Sequence, residues 1–282
     1  MDNESPVWLI TGGSSGLGLL IAQEALRRGA TVIATARRVE SLRELTDEWG
    51  DRVVPLALDM TDSDQVAAAV QYINENCSRL DVLVNNAGRL HFGAVEEVSD
   101  RELRSMFDLH VFGPTQLVRG TLPTMRSRRA GTIVQMSSMS AFLINPGFSS
   151  YTATKAALEG LSATLAKEVA DFGIRVLIVE PGPHRTAVLA PDRLTSAEPM
   201  ADYAAVLGPV REIVATRDGT QPNDPATAAK LIVDVVLSPN VPVRLPLGGE
   251  AIDLIRTELG NIDKNMADWE DVARSTAYDV PA

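Results

Sequence analysis

An α/β protein in three layers, a doubly wound parallel sheet with helices on both faces, is the fold class that the sequence predicts, and three observations predict it. Short β-branched runs alternate with longer helical patterns from Val7 to Glu180, the rhythm of strands joined by crossover helices. The first strand runs directly into a glycine-rich turn at residues 11–18 and then into a helix. The chain is also large and apolar enough to bury such a sheet. It has 282 residues, 45% hydrophobic and 22% charged, far from the compositions of disordered, collagenous or disulfide-stapled chains.

The strands are expected, in order, at residues 7–11, 31–36, 53–58, 82–85, 132–137 and 175–180, each a short run rich in Val, Ile, Leu or Thr. Between them the apolar spacing changes to a helical period at 17–28, 41–49, 63–77, 101–125 and 149–172. Gly29 and Gly173 stop two of these helices, and Ser99-x-x-Glu102 is a capping box that starts another. After Glu180 the rhythm breaks. Pro181, Pro183, Pro191, Pro199, Pro209 and Pro222 punctuate short helical pieces, and residues 187–222 are expected to form a flap on the substrate side of the sheet. A helix at 225–237, a last strand at 243–247 and a helix at 251–259 complete the fold, followed by a solvated acidic tail over about 260–282. No repeat, low-complexity tract or linker divides the chain, so residues 1–282 read as a single domain.

Charge and composition narrow the function classes. Lys and Arg number 26 against 37 Asp and Glu, a formal charge of −11. Nucleic acid and anionic membrane surfaces are therefore poor partners, although a local cationic pocket can still hold an anionic cofactor. Residues 250–282 carry eight acidic and three basic side chains, close to half of that net charge. Cys77 is the one cysteine, which excludes an internal disulfide and suits a reducing compartment. The first residues have neither the basic nor the apolar region of a signal peptide, and no run approaches the ~18 apolar residues of a membrane helix. A cytoplasmic protein with no membrane span is the expectation. His91, His110 and His184 fall at no metal-ligand spacing, so no metal is expected.

Two strand ends carry a nucleotide signature. Gly12, Gly16 and Gly18, with Gly13, Ser14, Ser15 and Leu17 among them, make a turn whose glycines allow close backbone approach. The helix N-terminus behind it presents free N–H groups to a pyrophosphate. A plain strand-to-helix turn is the bland reading, and the position at the first βα junction argues against it. At the end of the second strand, where an acid would select NAD through the ribose 2′-hydroxyl, the chain has Ala36, Arg37 and Arg38. A guanidinium there pairs with a 2′-phosphate, so Arg37 points to NADP(H), unless both arginines are solvated loop residues. Asp59, after the third strand, either accepts from an adenine amino group or caps the next helix, a task open also to Thr61 and Asp62.

Tyr151 and Lys155 lie four apart in a helical segment and so share a face. A free phenol, with a pKa of roughly 10, is a poor acid–base catalyst near neutrality, and the nearby ammonium is expected to lower that value. Ser138 follows the fifth strand at the carboxyl edge of the sheet, where its hydroxyl can hold a substrate carbonyl. Alone, a Tyr-x-x-x-Lys pair means little. Beside a glycine turn and a serine thirteen residues upstream, it defines a site.

Together these residues resemble the short-chain dehydrogenase/reductase superfamily, from Val7 to about Thr186. The matching stretches are residues 11–18, Asp59, Asn85-Asn86-Ala87-Gly88, Ser138, Tyr151-Thr152-Ala153-Thr154-Lys155 and Pro181-Gly182. Ala34-Thr35-Ala36-Arg37, Val111-Phe112-Gly113-Pro114 and Glu180-Pro181-Gly182-Pro183 look most like its 17β-hydroxysteroid-dehydrogenase-like branch. The resemblance implies a single Rossmann domain, a nicotinamide cofactor and carbonyl/alcohol interconversion by hydride transfer. By position it implies that Asn86 and Gly88 line the adenosine ribose, that Pro181, Gly182 and Thr186 position the nicotinamide, and that Ser15 reaches the 2′-phosphate. Ser138 and Tyr151 would polarise the carbonyl, Tyr151 would protonate the alkoxide, and Lys155 would hold the nicotinamide ribose. A homodimer or homotetramer through the helices containing His110 and Tyr151 is implied as well.

One position departs from that pattern. Where the family has Asn in an Asn-Val-x-Gly stretch, helping to hold a water between the catalytic lysine and solvent, this chain reads His110-Val111-Phe112-Gly113. Either the imidazole takes over that water and titrates, or His110 is a packed helix residue with no catalytic part. The substrate is expected to be a small lipophilic ketone, aldehyde or alcohol. Val188, Leu189, Met200, Tyr203, Val206, Leu207, Ile213 and Val214 crowd the flap, though ordinary helix packing accounts for them equally. Two rival functions share the motifs: a nucleotide-binding scaffold or sensor with little turnover, and an isomerase or dehydratase on the same fold.

Overall fold

The apolar runs become the strands of one sheet. A computed structural model of the chain describes residues 5–190 and 193–278, so Pro191 of the expected flap and the last four residues of the expected tail lie outside the described residues. Besides single 3₁₀ turns, the elements run in order β1 (Val7–Ile10), α1 (Gly16–Arg27), β2 (Thr31–Ala36), α2 (Arg43–Trp49), β3 (Val53–Ala57), α3 (Ser63–Asn76), β4 (Val82–Asn85) and β5 (His91–Phe92). They continue as α4 (Asp100–Phe107), a π turn (Asp108–Phe112), α5 (Gly113–Arg128), β6 (Gly131–Met136), α6 (Ser149–Val169) and β7 (Ile174–Pro181). The chain then forms β8 (Thr195–Ser196), α7 (Ala204–Thr216), α8 (Pro225–Leu237), β9 (Arg244–Leu247), α9 (Gly249–Asp268) and α10 (Glu270–Arg274).

Seven of these strands pair in the order β3-β2-β1-β4-β6-β7-β9, all parallel. The chain adds strands outward from β1 to β3, then returns to set β4 on the other side of β1. That reversal opens a crevice beyond the carboxyl ends of β1 and β4, the place where a Rossmann sheet binds its ligand. Side chains alternate between two cores. Trp8 and Ile10 of β1 join Val32 and Ala34 of β2 and Val84 of β4 under α1 and α8, while Val7, Leu9, Ile33 and Leu83 face Val66, Leu117 and Val118 of α3 and α5. Each such burial contributes about 1.5–3 kcal/mol, which is why the central strands read as continuous apolar runs.

Helix ends follow their signals. Ser99 and Glu102 make both bonds of the capping box, and Asp224 caps α8 with Pro225 at its first turn. The helix expected over 101–125 is not continuous, however. It is α4, the π turn and α5, because Pro114 has no N–H to donate and its ring would strike the carbonyl of His110 four residues back. Gly113 permits the approach there, since a Cβ would meet the Met60 carbonyl oxygen at 2.3 Å.

The segment after β7 is more ordered than expected. It pairs β8 with β5 outside the main sheet and carries the 13-residue α7, whose Leu207 closes a small third core with Phe92 and Ala94. The C-terminal tail is corrected too. Leu259, Ile262 and Met266 continue the helical spacing, so α9 runs to Asp268. Its far end is solvent-exposed, as expected. Among the described residues no helix is long and apolar enough to cross a membrane.

Candidate active site

The cleft beyond β1 and β4 measures about 990 Å³. At its floor Gly12 (φ +67°) and Gly16 (φ +56°) adopt the left-handed conformation that the turn requires, and a Cβ on Gly18 would lie 2.3 Å from the Gly12 carbonyl. Thr11 Oγ1 accepts from the backbone N–H groups of Asn86 (2.9 Å) and Ala87 (3.0 Å), and Asn86 Nδ2 donates to the carbonyls of Thr11 (2.9 Å) and Gly12 (3.3 Å). The Asn86 amide is thus committed to bracing the turn. No side chain caps α1, and its first turn has no acid. Its amides, with Ser14, Ser15, Gly16 and Leu17, open onto the cleft, a cradle that fits a dinucleotide pyrophosphate.

At the β2–β3 end of the cleft, Arg37 and Arg38 stand exposed directly after Ala36, where no carboxylate takes their place. Asp62, not Asp59, caps α3, accepting from Asp64 N and Gln65 N. Asp59 lines the cleft, with Oδ1 accepting from the amide and hydroxyl of Thr61 at 2.9 and 2.8 Å. Arg89, next to Gly88 and missed by the sequence analysis, adds a third guanidinium to this end. Its Nη2 donates to Ser105 Oγ at 2.7 Å, its buried Nε has no partner, and burial and then the charge of Arg37 lower its pKa.

The catalytic candidates converge at the other end. Ser138 is buried just past β6, Tyr151 and Lys155 project from α6, and all three line the cleft. Lys155 Nζ donates to the Met136 carbonyl at 2.7 Å and sits 5.6 Å from the centroid of the Tyr151 ring. Burial holds Lys155 down to about 8, and Glu159 opposes it. The expected lowering of the phenol is overturned here. Burial pushes Tyr151 up to about 12, and the hydrogen bond from Ser138 only partly offsets it. Near neutrality Tyr151 is therefore a protonated acid, the form that can donate.

His110 is neither exposed nor free. Thr154 Oγ1 donates to the Tyr151 carbonyl at 2.8 Å and lies 2.9 Å from His110 Nδ1, so Nδ1 carries the proton and donates to it. Nε2 accepts from Arg89 N–H at 3.3 Å. Burial first, then the charges of Lys155 and Arg89, hold the imidazole well below its usual range. Of the two readings, a titrating holder of the relay water is the one that this geometry opposes: both nitrogens are occupied by protein. The histidine instead ties the loop after β4 to the helix of Tyr151.

Beyond the carboxyl end of β7, Gly182 N–H donates to the Leu247 carbonyl at 2.8 Å, and the Thr186 methyl lies 3.8 Å from where a Gly16 Cβ would stand. Pro181, Gly182 and Thr186 line the cleft. Ser15 Oγ accepts at 2.7 Å from Arg193 Nη1, a residue of the expected flap that no sequence motif marked. Val188, Leu189, Val210, Ile213 and Val214 wall the remaining, more apolar part. Among the described residues no cluster of His, Cys, Asp and Glu could hold a metal ion.

A glycine cradle at the switch point of a parallel sheet, with Ser, Tyr and Lys at the carboxyl edge, defines a dinucleotide-dependent oxidoreductase. The comparisons narrow the class. The short chain dehydrogenase family model matches residues 6–197, and the chain belongs to that family. It is 35% identical over 274 residues to Oxidoreductase BOA17 of Botryotinia fuckeliana, covering 96% of this chain and 99% of that one. A short-chain dehydrogenase from Streptomyces avermitilis is 45% identical and superposes with a TM-score of 0.91 over 98% of this chain and 100% of its own. A metagenomic short-chain oxidoreductase in complex with NADP is 26% identical, with a TM-score of 0.69 over 86% of this chain and 96% of that one.

Proposed function

We propose that the protein is an NADP(H)-dependent reductase that interconverts a ketone or aldehyde and an alcohol on a small lipophilic molecule. The observation that carries this reading is that Ser138, Tyr151 and Lys155 line the same cleft as the glycine cradle. A reduced nicotinamide, held by the cradle of Gly12, Ser14, Ser15, Gly16 and Leu17, would supply the hydride for the carbonyl carbon. Ser138 donates a hydrogen bond to the carbonyl oxygen and holds it beside the phenol. Tyr151 gives its proton to that oxygen as it becomes an alkoxide, and Lys155, through its charge, stabilises the phenolate that is left. The same groups run the oxidation in reverse.

Arg37 supports NADP(H) over NAD(H), with Arg89 beside it, because a 2′-phosphate needs cations where a 2′-hydroxyl needs an acid. Leu103, Phe112 and Leu161, exposed on α4, the π turn and α6, support assembly into two or four copies through those helices. The deciding experiment is NADPH oxidation measured against a panel of steroid, terpenoid, polyketide and simple aromatic carbonyls. Turnover that Tyr151→Phe abolishes is the expected result. No turnover on any carbonyl, with NADPH bound, would favour the scaffold reading.

A further inference from the structure

Further along the catalytic face of α6 lies a cluster of ionisable side chains that the proposed chemistry does not use. Glu159, one helical turn beyond Lys155, and Glu180, the residue before Pro181, are 6% and 2% exposed. Both reach Arg244 of β9, whose Nε lies 3.1 Å from Glu159 Oε2 and 3.3 Å from Glu180 Oε1. One half-exposed guanidinium thus serves two buried carboxyl groups, and Oε1 of each has no hydrogen-bond partner. Burial, and then the charge of Glu159, push the Glu180 carboxyl up to about 7. Near neutrality the pair therefore carries between one and two negative charges.

Such a pair is poorly placed beside a single cation, because buried charges need compensation. The ammonium of Lys155 is the next cation along the same helix. The need is mutual: burial works against the charged form of Lys155, and the charge of Glu159 works for it. They do not touch. Lys155 is bonded to the Met136 carbonyl and Glu159 to Arg244, so the coupling runs through space across one turn of α6, in a medium of low dielectric. Besides Tyr151 on the same helix, the buried or half-buried ionisable groups on elements packed against α6 are Asp108 and His110 of the π turn, His91 of β5 and Glu102 of α4, while Asp100, Arg101 and Arg104 of α4, Asp171 after α6 and Arg175 of β7 are exposed to solvent. Burial pushes both histidines toward their neutral forms, so neither adds a cation.

We propose that Glu159, held by Arg244 against Glu180, is a positioning residue of this site whose charge keeps the buried Lys155 an ammonium, the form that can steady the Tyr151 phenolate. The proposal rests on the assignment of Lys155 to the catalytic group, yet its test needs no turnover. The chain has four lysines, at 155, 167, 230 and 264, so their side-chain signals can be followed singly by NMR in lysine-labelled full-length protein without added nucleotide. In Glu159→Gln the Lys155 signal should titrate about one pH unit lower than in the parent, with the other three unmoved. Glu159→Asp should recover most of that shift.

A purely structural role gives the opposite sign, since loosened packing admits water and moves the midpoint up toward an ordinary lysine. An unchanged or raised midpoint in Glu159→Gln therefore overturns the proposal. Should that variant not fold, the parent decides. Its Lys155 signal should show a second, smaller inflection near pH 7 as the carboxyl pair takes up its proton, and a single inflection overturns the proposal. Failure of the carbonyl panel would leave this titration intact, and failure of the titration would leave the panel intact.

Discussion

The turn after β1 and the segment after β7 face one another across the cleft, and they are held by different means. The turn is locked from beneath: Thr11 and Asn86 bind it on both sides, Gly18 leaves no room for a side chain, and the strands under it are fully buried. The segment over 187–217 is held by the two-residue pairing of β8 with β5, by the small third core and by side chains. Arg193 reaches Ser15, Tyr203 reaches Glu96, and Glu97 holds Arg211 and the Met200 amide, while Val206 and Ile213 stay more than half exposed. The difference teaches a division of labour. The half proposed to meet the cofactor is locked in place, and the half proposed to meet the substrate is attached at fewer points.

The strongest way to test the rigid half is to remove chemistry and leave shape. Tyr151→Phe deletes the proton donor and little else, so turnover should fall by at least ~10³-fold with NADPH affinity preserved in titration calorimetry. Ser138→Ala, which removes one hydrogen bond to the developing charge, should cost roughly 10²-fold in kcat/KM. Retained activity in Tyr151→Phe would place the chemistry elsewhere in the cleft. Next in size is the adenosine end. Arg37→Ala should weaken NADPH by on the order of 10–100-fold and leave NADH nearly unchanged. Equal losses for both nucleotides would mean that Arg37 supports the loop and does not read the phosphate.

The two halves also differ in how far the sequence disclosed them. The central strands were plain because residues such as Val7–Ile10 are buried on both faces, and a run that must be apolar throughout can be seen without neighbours. Ser99 with Glu102 and Gly173 marked helix ends because capping is local chemistry. The π turn was not plain: its cause, Pro114 four residues after His110, was visible, but a helical period of apolar residues passes through it unbroken. Nor were Arg89, Arg193, Glu159 and Glu180, whose importance lies in partners 16, 178, 85 and 64 residues away in the chain. The pairing of β5 with β8, two residues each, is likewise too short to leave a pattern.

His110 joins the two kinds of region, because it ties the loop after β4 to α6. His110→Leu leaves the Arg89 amide without its acceptor and takes away the donor to Thr154 Oγ1, whose own bond to the Tyr151 carbonyl remains, a loss of about 1–3 kcal/mol of stability by urea denaturation. Turnover should fall by roughly tenfold as Tyr151 loses its bracing, and His110→Asn, which keeps a donor and an acceptor, should recover part of it. Since burial holds the imidazole neutral, the parent pH profile should show no inflection near the ordinary histidine value of roughly 6.5. An inflection there that His110→Asn removes would restore the titrating relay.

The smallest effect belongs to the hinge point of the adjustable half. Burial pushes the Glu97 carboxyl up, but the amides of Ala94 and Met200 and the Arg211 guanidinium outweigh it, and its pKa is lowered. A carboxylate lowered on folding contributes stability above its unfolded pKa of roughly 4.5 and loses it as pH falls through the lower folded value. Two consequences follow for the segment after β7. Below about pH 4.5 its amide hydrogens, read over residues 197–217, should exchange faster relative to those of Leu9, Ile10, Leu83 and Val84 in the buried centres of β1 and β4. At pH 7, Glu97→Gln should raise exchange in the same residues, increase KM for the carbonyl a few-fold and leave kcat and NADPH affinity nearly unchanged, because neither the cradle nor the catalytic helix moves. Equal exchange in both proteins would show that the third core around Phe92 and Leu207 carries the segment unaided, and the contrast between a locked half and a tethered half would then be one of sequence alone.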